Sequence, residues 1–191
     1  MHAAINPFRS AVIAKIRYRM DSGAQEALVA RILGAKRCAL VGPEGTGKTT
    51  LLEDLEPLIQ ARGLQTYWLH LNLDQSRSER AQIIRGAARF DEKSVVLLDG
   101  GEVLAWWQWR SLIRLSQRRG FGLVATLHKP RYLPVVYSTS ENLETSLSLV
   151  RQLAPVEDHN KLEPIAQEAF ALSQGNVREV FRACYWFYAS H

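Results

Sequence analysis

The segment GPEGTGKT, residues 42–49, constrains the fold of this chain more than any other stretch of its sequence. It fits the pattern G-x-x-x-x-G-K-[ST] at every fixed position, follows a short apolar run and opens a segment with helical spacing of its leucines. Between a strand and a helix, such glycines allow a tight turn whose backbone N–H groups point inward and hold phosphate oxygens. The helix start adds the positive end of its dipole. We therefore expect a phosphate-binding loop here.

Two side chains of this loop have specific expected roles. Lys48 should reach the β- and γ-phosphates of a nucleotide, and Thr49 should offer its hydroxyl to Mg²⁺. Glu44 lies at a variable position of the loop that overlooks the γ-phosphate. The alternative is an ordinary glycine turn with a lysine at the helix start by chance. The residues predicted to contact the nucleotide are Gly42, Pro43, Glu44, Gly45, Thr46, Gly47, Lys48, Thr49 and Thr50.

An acidic anchor for the metal is expected at Asp99, which ends the apolar run SVVLLD. A triphosphate with Mg²⁺ needs such an acid on a second strand, where it holds a magnesium-bound water. The simpler alternative is that Asp99 caps the following helix. The presence of Lys48 and Thr49 favours the magnesium role, so Thr49 and Asp99 are the predicted metal residues.

Turnover also requires a group that orients water for attack on the γ-phosphate. Gly100 stands directly after Asp99, so the first acid beyond it is Glu102. If Gly100 and Gly101 let the chain swing back, Glu102 could accept a hydrogen bond from the attacking water. If a helix begins at once, Glu102 is only a favourable charge in its first turn. Both interpretations stay open, and Glu44 in the phosphate-binding loop is a second candidate for this acid.

A later strand, LVATLHKP, leaves Thr126 and His128 near its carboxyl end, on the same side of the sheet. Either side chain could sense the γ-phosphate or orient water if this strand lies between the first and third strands. His128 is the better candidate, because it can donate a hydrogen bond to a phosphate. The alternative is that one of the two points into the core or caps a loop.

Apolar runs of strand length alternate with helical segments, which predicts an α/β fold. About five strands should form a mostly parallel central sheet with helices on both faces, in three layers. The predicted strands are 37–42, 64–73, 94–100, 121–130 and 132–140. Only helical patterns follow, at 141–153, 162–173 and 177–189. We expect a nucleotide-binding domain at residues 1–154 and a small helical, lid-like subdomain at residues 155–191.

The sequence WWQW, residues 106–109, lies in a segment predicted to form one long helix over residues 102–120. On a helix, Trp106 and Trp109 share a face, while Trp107 is turned about 100° away. Core packing against the sheet accounts for two of the three tryptophans. We expect at least one to be exposed, where it is available for stacking or for contact with a partner.

Composition limits the class of protein. The chain has 191 residues, of which 47% are hydrophobic and 23% charged, as in ordinary globular proteins. No apolar run approaches the roughly 20 residues of a membrane span, and the N-terminal stretch lacks the order of a signal peptide, so we expect a cytoplasmic protein. Cys38 and Cys184 provide no disulfide framework and should fill apolar space. The net charge of +5 permits an acidic partner such as nucleic acid.

Lys48, Thr49, Asp99 and the polar strand end at Thr126 and His128 together resemble the ATP-hydrolysing division of P-loop NTPases. The resemblance implies the three-layer P-loop NTPase fold, with an extra strand between the strand before the loop and the strand that carries the acid. It also implies ATP and Mg²⁺ as cofactors. GTPases would show an Asn-Lys-x-Asp signature after a late strand, and TLHKPRYL does not contain it.

The tail SQGNVREVFRACYWFY is similar to the lid of AAA+ ATPases of the replication-initiator and clamp-loader kind. There, an arginine near the start of a lid helix lies over the γ-phosphate, and the resemblance implies that role for Arg178. NPF, residues 6–8, is similar to the stretch that touches adenine in such ATPases. AAA+ proteins usually carry Asp-Glu at the acidic strand, whereas Gly100 replaces the glutamate here. No arginine finger is assigned, and Arg118 and Arg119 are the best-placed pair.

The chain also resembles small bacterial ATP-binding proteins that share the NPF start, the loop, an LLDG-x-E strand and a T-x-H strand. We expect a Mg²⁺-dependent ATPase that acts as a nucleotide-driven switch, or that needs a protein partner or a neighbouring subunit for full turnover. The residues expected to act in catalysis are Lys48, Glu102, His128 and Arg178. One alternative is a phosphotransferase that uses Arg77, Arg80 and Arg85 around the phosphates. Another is a module that binds nucleotide or nucleic acid without hydrolysis.

Overall fold

A computed structural model describes residues 6–140 and 142–190 of the chain. These residues form two compact units, which we call the sheet unit and the helical unit. The sheet unit comprises Tyr18–Gly42 and Lys48–Thr139, and the helical unit comprises residues 6–17, 43–47, 140 and 142–190. The middle of the predicted phosphate-binding loop therefore belongs to the helical unit, whereas its first residue and its last two belong to the sheet unit.

Five parallel strands form the sheet, in the spatial order β2-β3-β4-β1-β5. They are β1 (Arg37–Val41), β2 (Gln65–His70), β3 (Ser94–Asp99), β4 (Gly122–Leu127) and β5 (Val135–Ser138). This result confirms the predicted α/β fold with about five strands. β4 lies between β1 and β3, where the resemblance to ATP-hydrolysing P-loop proteins implied an extra strand. The carboxyl ends of β1, β4 and β3 consequently lie side by side.

Helices cover both faces of the sheet. Alternate strand residues point to opposite faces, so Val96 and Leu98 join one apolar cluster, whereas Val95 and Leu97 join the other. Burial on both faces explains why β1, β3 and β4 appear in the sequence as continuous apolar runs. The helices on the first face are α4 (Arg77–Gly86) and α5 (Trp106–Arg119), and those on the second are α2 (Ser22–Ala35) and α3 (Lys48–Gln60).

The helix predicted over residues 102–120 begins later than expected. Gly101–Val103 forms a 3₁₀ turn, and α5 follows with Ala105 as its N-cap residue. The N–H of Ala105 donates to Oε1 of Gln108 (3.0 Å), which supplies an acceptor at the helix start. α5 ends at Gly120, whose φ of +84° is the left-handed conformation that commonly follows a helix.

One of the three neighbouring tryptophans, rather than two, packs in the core. Trp109 is fully buried, whereas Trp106 is 61% exposed and Trp107 is 46% exposed. The buried side of α5 is centred on Trp109, Leu112 and Ser116. Three residues of helix turn by about 300°, so Trp106 lies about 60° away from Trp109 and outside that stripe. The expected exposure of at least one tryptophan is confirmed.

The helical unit contains a short N-terminal helix and three helices that pack on one another. They are α1 (Ser10–Ile13), α6 (Leu143–Leu153), α7 (His159–Leu172) and α8 (Val177–Ala189). Val150, Leu162 and Val180 are fully buried between them. This confirms the predicted helical appendage. The helix predicted at 141–153 includes residue 141, which lies outside the described residues, and α7 begins three residues before its predicted start.

The NPF segment anchors the chain within the helical unit. Asn6 Nδ2 donates to the carbonyl oxygen of Tyr185 (2.9 Å), and Phe8 is 2% exposed. The ring centroid of Phe8 is 6.0 Å from that of Phe181 and 6.1 Å from that of Tyr188. These contacts give the segment a packing role, and the implied contact with adenine stays a prediction.

Both cysteines are free and fully buried, as expected of apolar fillers. Burial raises the pKa of the Cys38 and Cys184 thiols to about 12. None of the described helices has the length and apolar content that a membrane span requires. The predicted division after residue 154 stays a prediction, and the helical unit includes α6 on the N-terminal side of that position.

Candidate functional site

Lys48 is the first residue of α3, where backbone N–H groups have no partner within the helix. The residue is 8% exposed, and Nζ donates a hydrogen bond to the carbonyl oxygen of Gly42 (2.7 Å). Thr49 and Thr50 follow in the same turn of α3. A buried ammonium group at a helix start favours an anionic ligand, because the helix dipole and the side chain contribute positive potential together.

The middle of the loop turns through two glycines in the left-handed conformation, Gly45 with φ +77° and Gly47 with φ +83°. Between them, Thr46 Oγ1 donates to the carbonyl oxygen of Pro43 (2.8 Å). A Cβ atom at Gly45 would lie 2.0 Å from Oδ1 of Asn176. Both the backbone conformation and the lack of space therefore require glycine at this position.

Arg178 lies in the first turn of α8, which Asn176 caps. Asn176 Oδ1 accepts a hydrogen bond from the backbone N–H of Arg178 (3.0 Å). Arg178 Nη1 is 3.9 Å from Oε1 of Glu44, and both side chains are exposed. An ion pair this long and exposed contributes little stability, so a phosphate could replace the carboxylate at low cost. The resemblance implied that Arg178 faces the γ-phosphate, and this role stays a prediction.

Asp99 ends β3 and accepts two hydrogen bonds on Oδ1, from Thr49 Oγ1 (3.0 Å) and from Thr126 Oγ1 (2.6 Å). Thr126 is 2% exposed, and its hydroxyl oxygen also accepts from the N–H of Gly100 (3.3 Å). The alternative in which Asp99 caps a helix is not observed, because the 3₁₀ turn that follows has no side-chain cap. Thr126 therefore orients the acid from within the sheet, which accounts for one of the two polar residues at the end of β4.

Gly100 occupies a position that accepts no side chain. Its φ is +78°, and a Cβ atom would lie 2.0 Å from the carbonyl oxygen of Leu71. At Gly101 a Cβ atom would lie 2.8 Å from the ring of Trp109. The glutamate that usually follows the acid in AAA+ proteins is thus sterically excluded here, and any catalytic acid must come from elsewhere.

Glu102 and His128 form a pair. Glu102 lies in the 3₁₀ turn that follows Gly100, and its Oε1 lies 3.3 Å from Nε2 of His128, directly after β4. Their side chains are 34% and 41% exposed, so the pair is accessible to water. A carboxylate beside an imidazole is suited to orienting water and accepting its proton. The two predicted catalytic residues are therefore adjacent, although their roles stay predictions.

His70 is a residue at this edge of the sheet that the sequence-based reasoning missed. It ends β2 opposite Asp99 in the β2–β3 register, and Nδ1 is 3.9 Å from Asp99 Oδ2. Its ring stacks on that of Trp68, with centroids 5.1 Å apart and an interplanar angle of 5°. The sequence signal that could have identified His70 is its position as a polar residue at the carboxyl end of a predicted strand.

The donor atoms of Thr49 and Asp99 fit Mg²⁺. They are a hydroxyl and a carboxylate oxygen 3.0 Å apart, and Mg²⁺ prefers such hard ligands. Within residues 6–140 and 142–190, no group of three or more His, Cys, Asp or Glu side chains could hold a metal ion. Mg²⁺ usually binds through one or two protein ligands together with substrate phosphates and waters. The donor set therefore suits a magnesium ion that arrives with a nucleotide.

The remaining arginine candidates gain no support as phosphate ligands. Arg119 Nε donates to the carbonyl oxygen of Phe90 (3.2 Å), and the guanidinium of Arg80 donates to the carbonyl oxygen of Val103. Both side chains therefore link segments of the sheet unit. The other three are exposed: Arg77, Arg85 and Arg118. Neither the arginine finger nor the arginine cluster of a phosphotransferase is identified by these contacts.

The chain resembles known proteins in structure and not in sequence. No family model matches it, and no curated protein matches it either. A closed-state cryo-EM structure of Hsp104 with ATPγS and FITC-casein aligns with a TM-score of 0.63 at 14% identity, over 97% of this chain and 42% of that chain. This chain therefore spans less than half of the Hsp104 chain.

Two further solved structures align less well. PCH-2 from C. elegans gives a TM-score of 0.45 at 16% identity, over 96% of this chain and 71% of that chain. Trip13 from Rhizobiales gives a TM-score of 0.41 at 16% identity, over 86% and 78% of the two chains. The predicted likeness to small bacterial ATP-binding proteins stays a prediction. The alignment with Hsp104, together with the parallel sheet in which β4 separates β1 from β3, shows that this protein has a fold of the AAA+ P-loop type.

Proposed function

We propose that this protein is a Mg²⁺-dependent ATPase that works as a nucleotide-driven switch. The observation that carries the proposal is the 3.0 Å hydrogen bond between Thr49 Oγ1 and Asp99 Oδ1, which joins the start of α3 to the end of β3. A hydroxyl that follows a glycine-rich loop and an acid on a separate strand are what a triphosphate with Mg²⁺ requires. The AAA+ type of fold supports the proposal.

In this proposal a triphosphate replaces the carbonyl oxygen of Gly42 as the hydrogen-bond acceptor of Lys48. The N–H groups of the loop and of the first turn of α3 contact the β-phosphate. Thr49 and Asp99 would hold the magnesium ion, which would neutralise charge on the phosphates. Adenine is the proposed base, because the guanine signature is absent from the sequence after β4.

Water activation is assigned to Glu102, with His128 as its partner. Because Gly100 admits no side chain, Glu102 is the first acid after Asp99 that can act. Its Oε1 lies 3.3 Å from Nε2 of His128, so the carboxylate is near the carboxyl end of β4. We propose slow turnover by the protein alone, because no arginine finger is identified. A protein partner or a neighbouring subunit would then complete the site.

The switch would act through the helical unit. Arg178 would exchange Glu44 for the γ-phosphate when ATP binds, and hydrolysis would return it to Glu44. The 3.9 Å separation between Arg178 and Glu44 supports this proposal, because the pair is loose enough to be replaced. Hydrogen exchange at the start of α8 should then be slower with a non-hydrolysable ATP analogue and Mg²⁺ than with ADP. Equal exchange in the two states would contradict the switch.

Binding tests the site assignment directly. Isothermal calorimetry should detect ATP with Mg²⁺ for the wild-type protein and no binding for Lys48→Ala, whose circular dichroism should remain native. Lys161→Ala is the matched control, because Lys161 is exposed and pairs with Asp158 in the helical unit. Asp99→Asn should bind ATP more weakly and depend less on Mg²⁺. Equal affinity of the wild type and Lys48→Ala would refute the assignment.

Turnover is tested separately with labelled ATP. Release of free phosphate identifies an ATPase, whereas label on an acceptor molecule would identify a phosphotransferase. Glu102→Gln should keep ATP affinity and lower the rate by about 100-fold, a typical contribution of a general base. Glu157→Gln, a change of another exposed glutamate, is the control. A wild-type rate for Glu102→Gln would leave Glu102 without a catalytic role.

A further inference from the structure

The outward side of α5 differs from the surface of an ordinary helix. Its inward side is buried through Trp109, Leu112 and Ser116, and the helix contains no acidic residue. Arg119 donates to the carbonyl oxygen of Phe90, and two aromatic and three other basic side chains of α5 are exposed to solvent. We call them the α5 outer face: Trp106, Trp107, Arg110, Arg114 and Arg118.

The two tryptophans of the α5 outer face leave large flat surfaces in water. Trp106 is 61% exposed and Trp107 is 46% exposed, although tryptophan is usually largely buried. The guanidinium of Arg110 lies 6.0 Å from the centroid of the Trp106 ring. Single exposed apolar residues are common, but adjacent tryptophans with a cation beside them indicate a binding surface.

The arginines of this face are regularly spaced and unpaired with acids. Arg110, Arg114 and Arg118 follow one another at intervals of four residues, so they form a row about 12 Å long on the helix. Among the described residues, no acidic side chain forms an ion pair with any of the three. Their charge is therefore available to an anionic partner.

Other segments that pack on the same face of the sheet also carry basic and exposed aromatic residues. The ring of Tyr132 is 49% exposed and lies 5.7 Å from that of Trp109, with the guanidinium of Arg131 at 5.9 Å. Tyr132 has φ +55°, a conformation that is uncommon for an aromatic residue. Segments 76–90, 104–120 and 128–134 hold ten of the 24 Lys and Arg residues and one of the 19 Asp and Glu residues. These three segments, which contribute to the same apolar cluster, are therefore strongly basic.

We propose that the α5 outer face binds single-stranded nucleic acid. Bases would stack on Trp106 and Trp107, and the phosphates would meet the row of arginines. Stacked aromatic side chains beside a basic track are how proteins hold single strands without sequence preference. A duplex keeps its bases stacked on one another, so it would meet only the arginines and bind more weakly. An acidic peptide offers charge without flat rings and would also bind more weakly.

Fluorescence anisotropy with a labelled 20-nucleotide oligothymidylate tests the proposal. Trp106→Ala and Trp107→Ala should each weaken binding about tenfold, which corresponds to the loss of one stacked base. Three phosphate contacts predict a slope of about −2 for log K against log[salt], or about a 20-fold loss between 50 and 200 mM salt. Arg114→Gln should reduce that slope.

Trp186→Ala is the matched control, because Trp186 is also 61% exposed but lies on α8 of the helical unit. This control should bind like the wild type. Equal losses for Trp106→Ala and Trp186→Ala would overturn the proposal, as would equal affinity for a duplex or for polyglutamate. No detectable binding at 50 mM salt would also overturn it. Lys48→Ala should retain binding, so that failure of the ATPase proposal and failure of this one are distinguishable.

Discussion

Replacement of Gly100 by alanine tests how the acidic strand end is built. Gly100 and Gly63 share a φ of +78°, so alanine meets the same backbone strain at both positions. Their surroundings differ, because a Cβ atom at Gly63 would have no neighbour within 4 Å, whereas one at Gly100 would lie 2.0 Å from the carbonyl oxygen of Leu71. The pair of substitutions therefore separates strain from steric overlap.

The expected magnitudes follow from these two contributions. A left-handed conformation costs alanine about 1–2 kcal/mol, and Gly63→Ala should lower the free energy of unfolding by that amount. In Gly100→Ala the backbone must also move by about 1 Å or more, since the overlap involves a carbonyl and not a flexible side chain. Overpacking of this kind costs a further ~1–3 kcal/mol. We therefore expect a total of about 2–5 kcal/mol for Gly100→Ala.

Urea unfolding followed by tryptophan fluorescence measures both variants, because four of the five tryptophans lie in the sheet unit. Gly100→Ala should also weaken ATP binding with Mg²⁺, since the N–H of Leu71 donates to the carbonyl oxygen of Asp99 (2.9 Å) and a shift there would displace the acid. If the two variants differ by less than about 0.5 kcal/mol, the steric argument is wrong. Gly63→Ala should bind ATP like the wild type.

Three further predictions concern single contacts. Thr126→Val should lower the free energy of unfolding by about 2 kcal/mol in urea denaturation, because a hydrogen bond to the Asp99 carboxylate is lost, and an unchanged value would show that the bond is not formed. Asn176→Ala should lower the free energy of unfolding by about 1 kcal/mol because it removes the cap of α8. Asn176→Asp should retain most of the wild-type stability in the same measurement, because aspartate also caps helices. Burial raises the pKa of the Cys38 and Cys184 thiols from 9.0 to about 12, so the folded state favours the neutral thiol. Stability should therefore fall as pH rises from about 9 towards 12, and a Cys38→Ala, Cys184→Ala double variant should show a shallower fall in its urea midpoint.

The main elements of the fold could be predicted from local sequence. The strands β1, β3 and β4 are apolar runs because both of their faces are buried, and this pattern can be recognised without knowing which strands are neighbours. The loop at residues 42–49 likewise predicts, from local sequence alone, the strand that precedes it and the helix that follows it. The start of α5 was mispredicted, because the helical pattern continues through residues 102–105 while Gly100 and Gly101 force a 3₁₀ turn first.

Residues of the candidate site could be predicted from the sequence where a motif or a strand end within a single segment identifies them. Lys48, Thr49 and Asp99 were identified from motif and strand position, and the structure brings Thr49 and Asp99 together. His70 and Asn176 were missed, because their significance depends on strand register and on a loop 131 residues away from Asn176 in sequence at Gly45. Contacts between distant segments carry no local signal.

The sequence by itself determined the layered α/β architecture and the loop at residues 42–49, since periodicity, glycine placement and helix dipoles are local causes. Only the tertiary structure placed Glu102 beside His128 and assigned Thr126 to Asp99. Those outcomes depend on the carbonyl oxygen of Leu71 beside Gly100 and on the placement of β4 next to β3. Steric exclusion and strand register act between residues far apart in the chain, so they exist only once the sheet has formed.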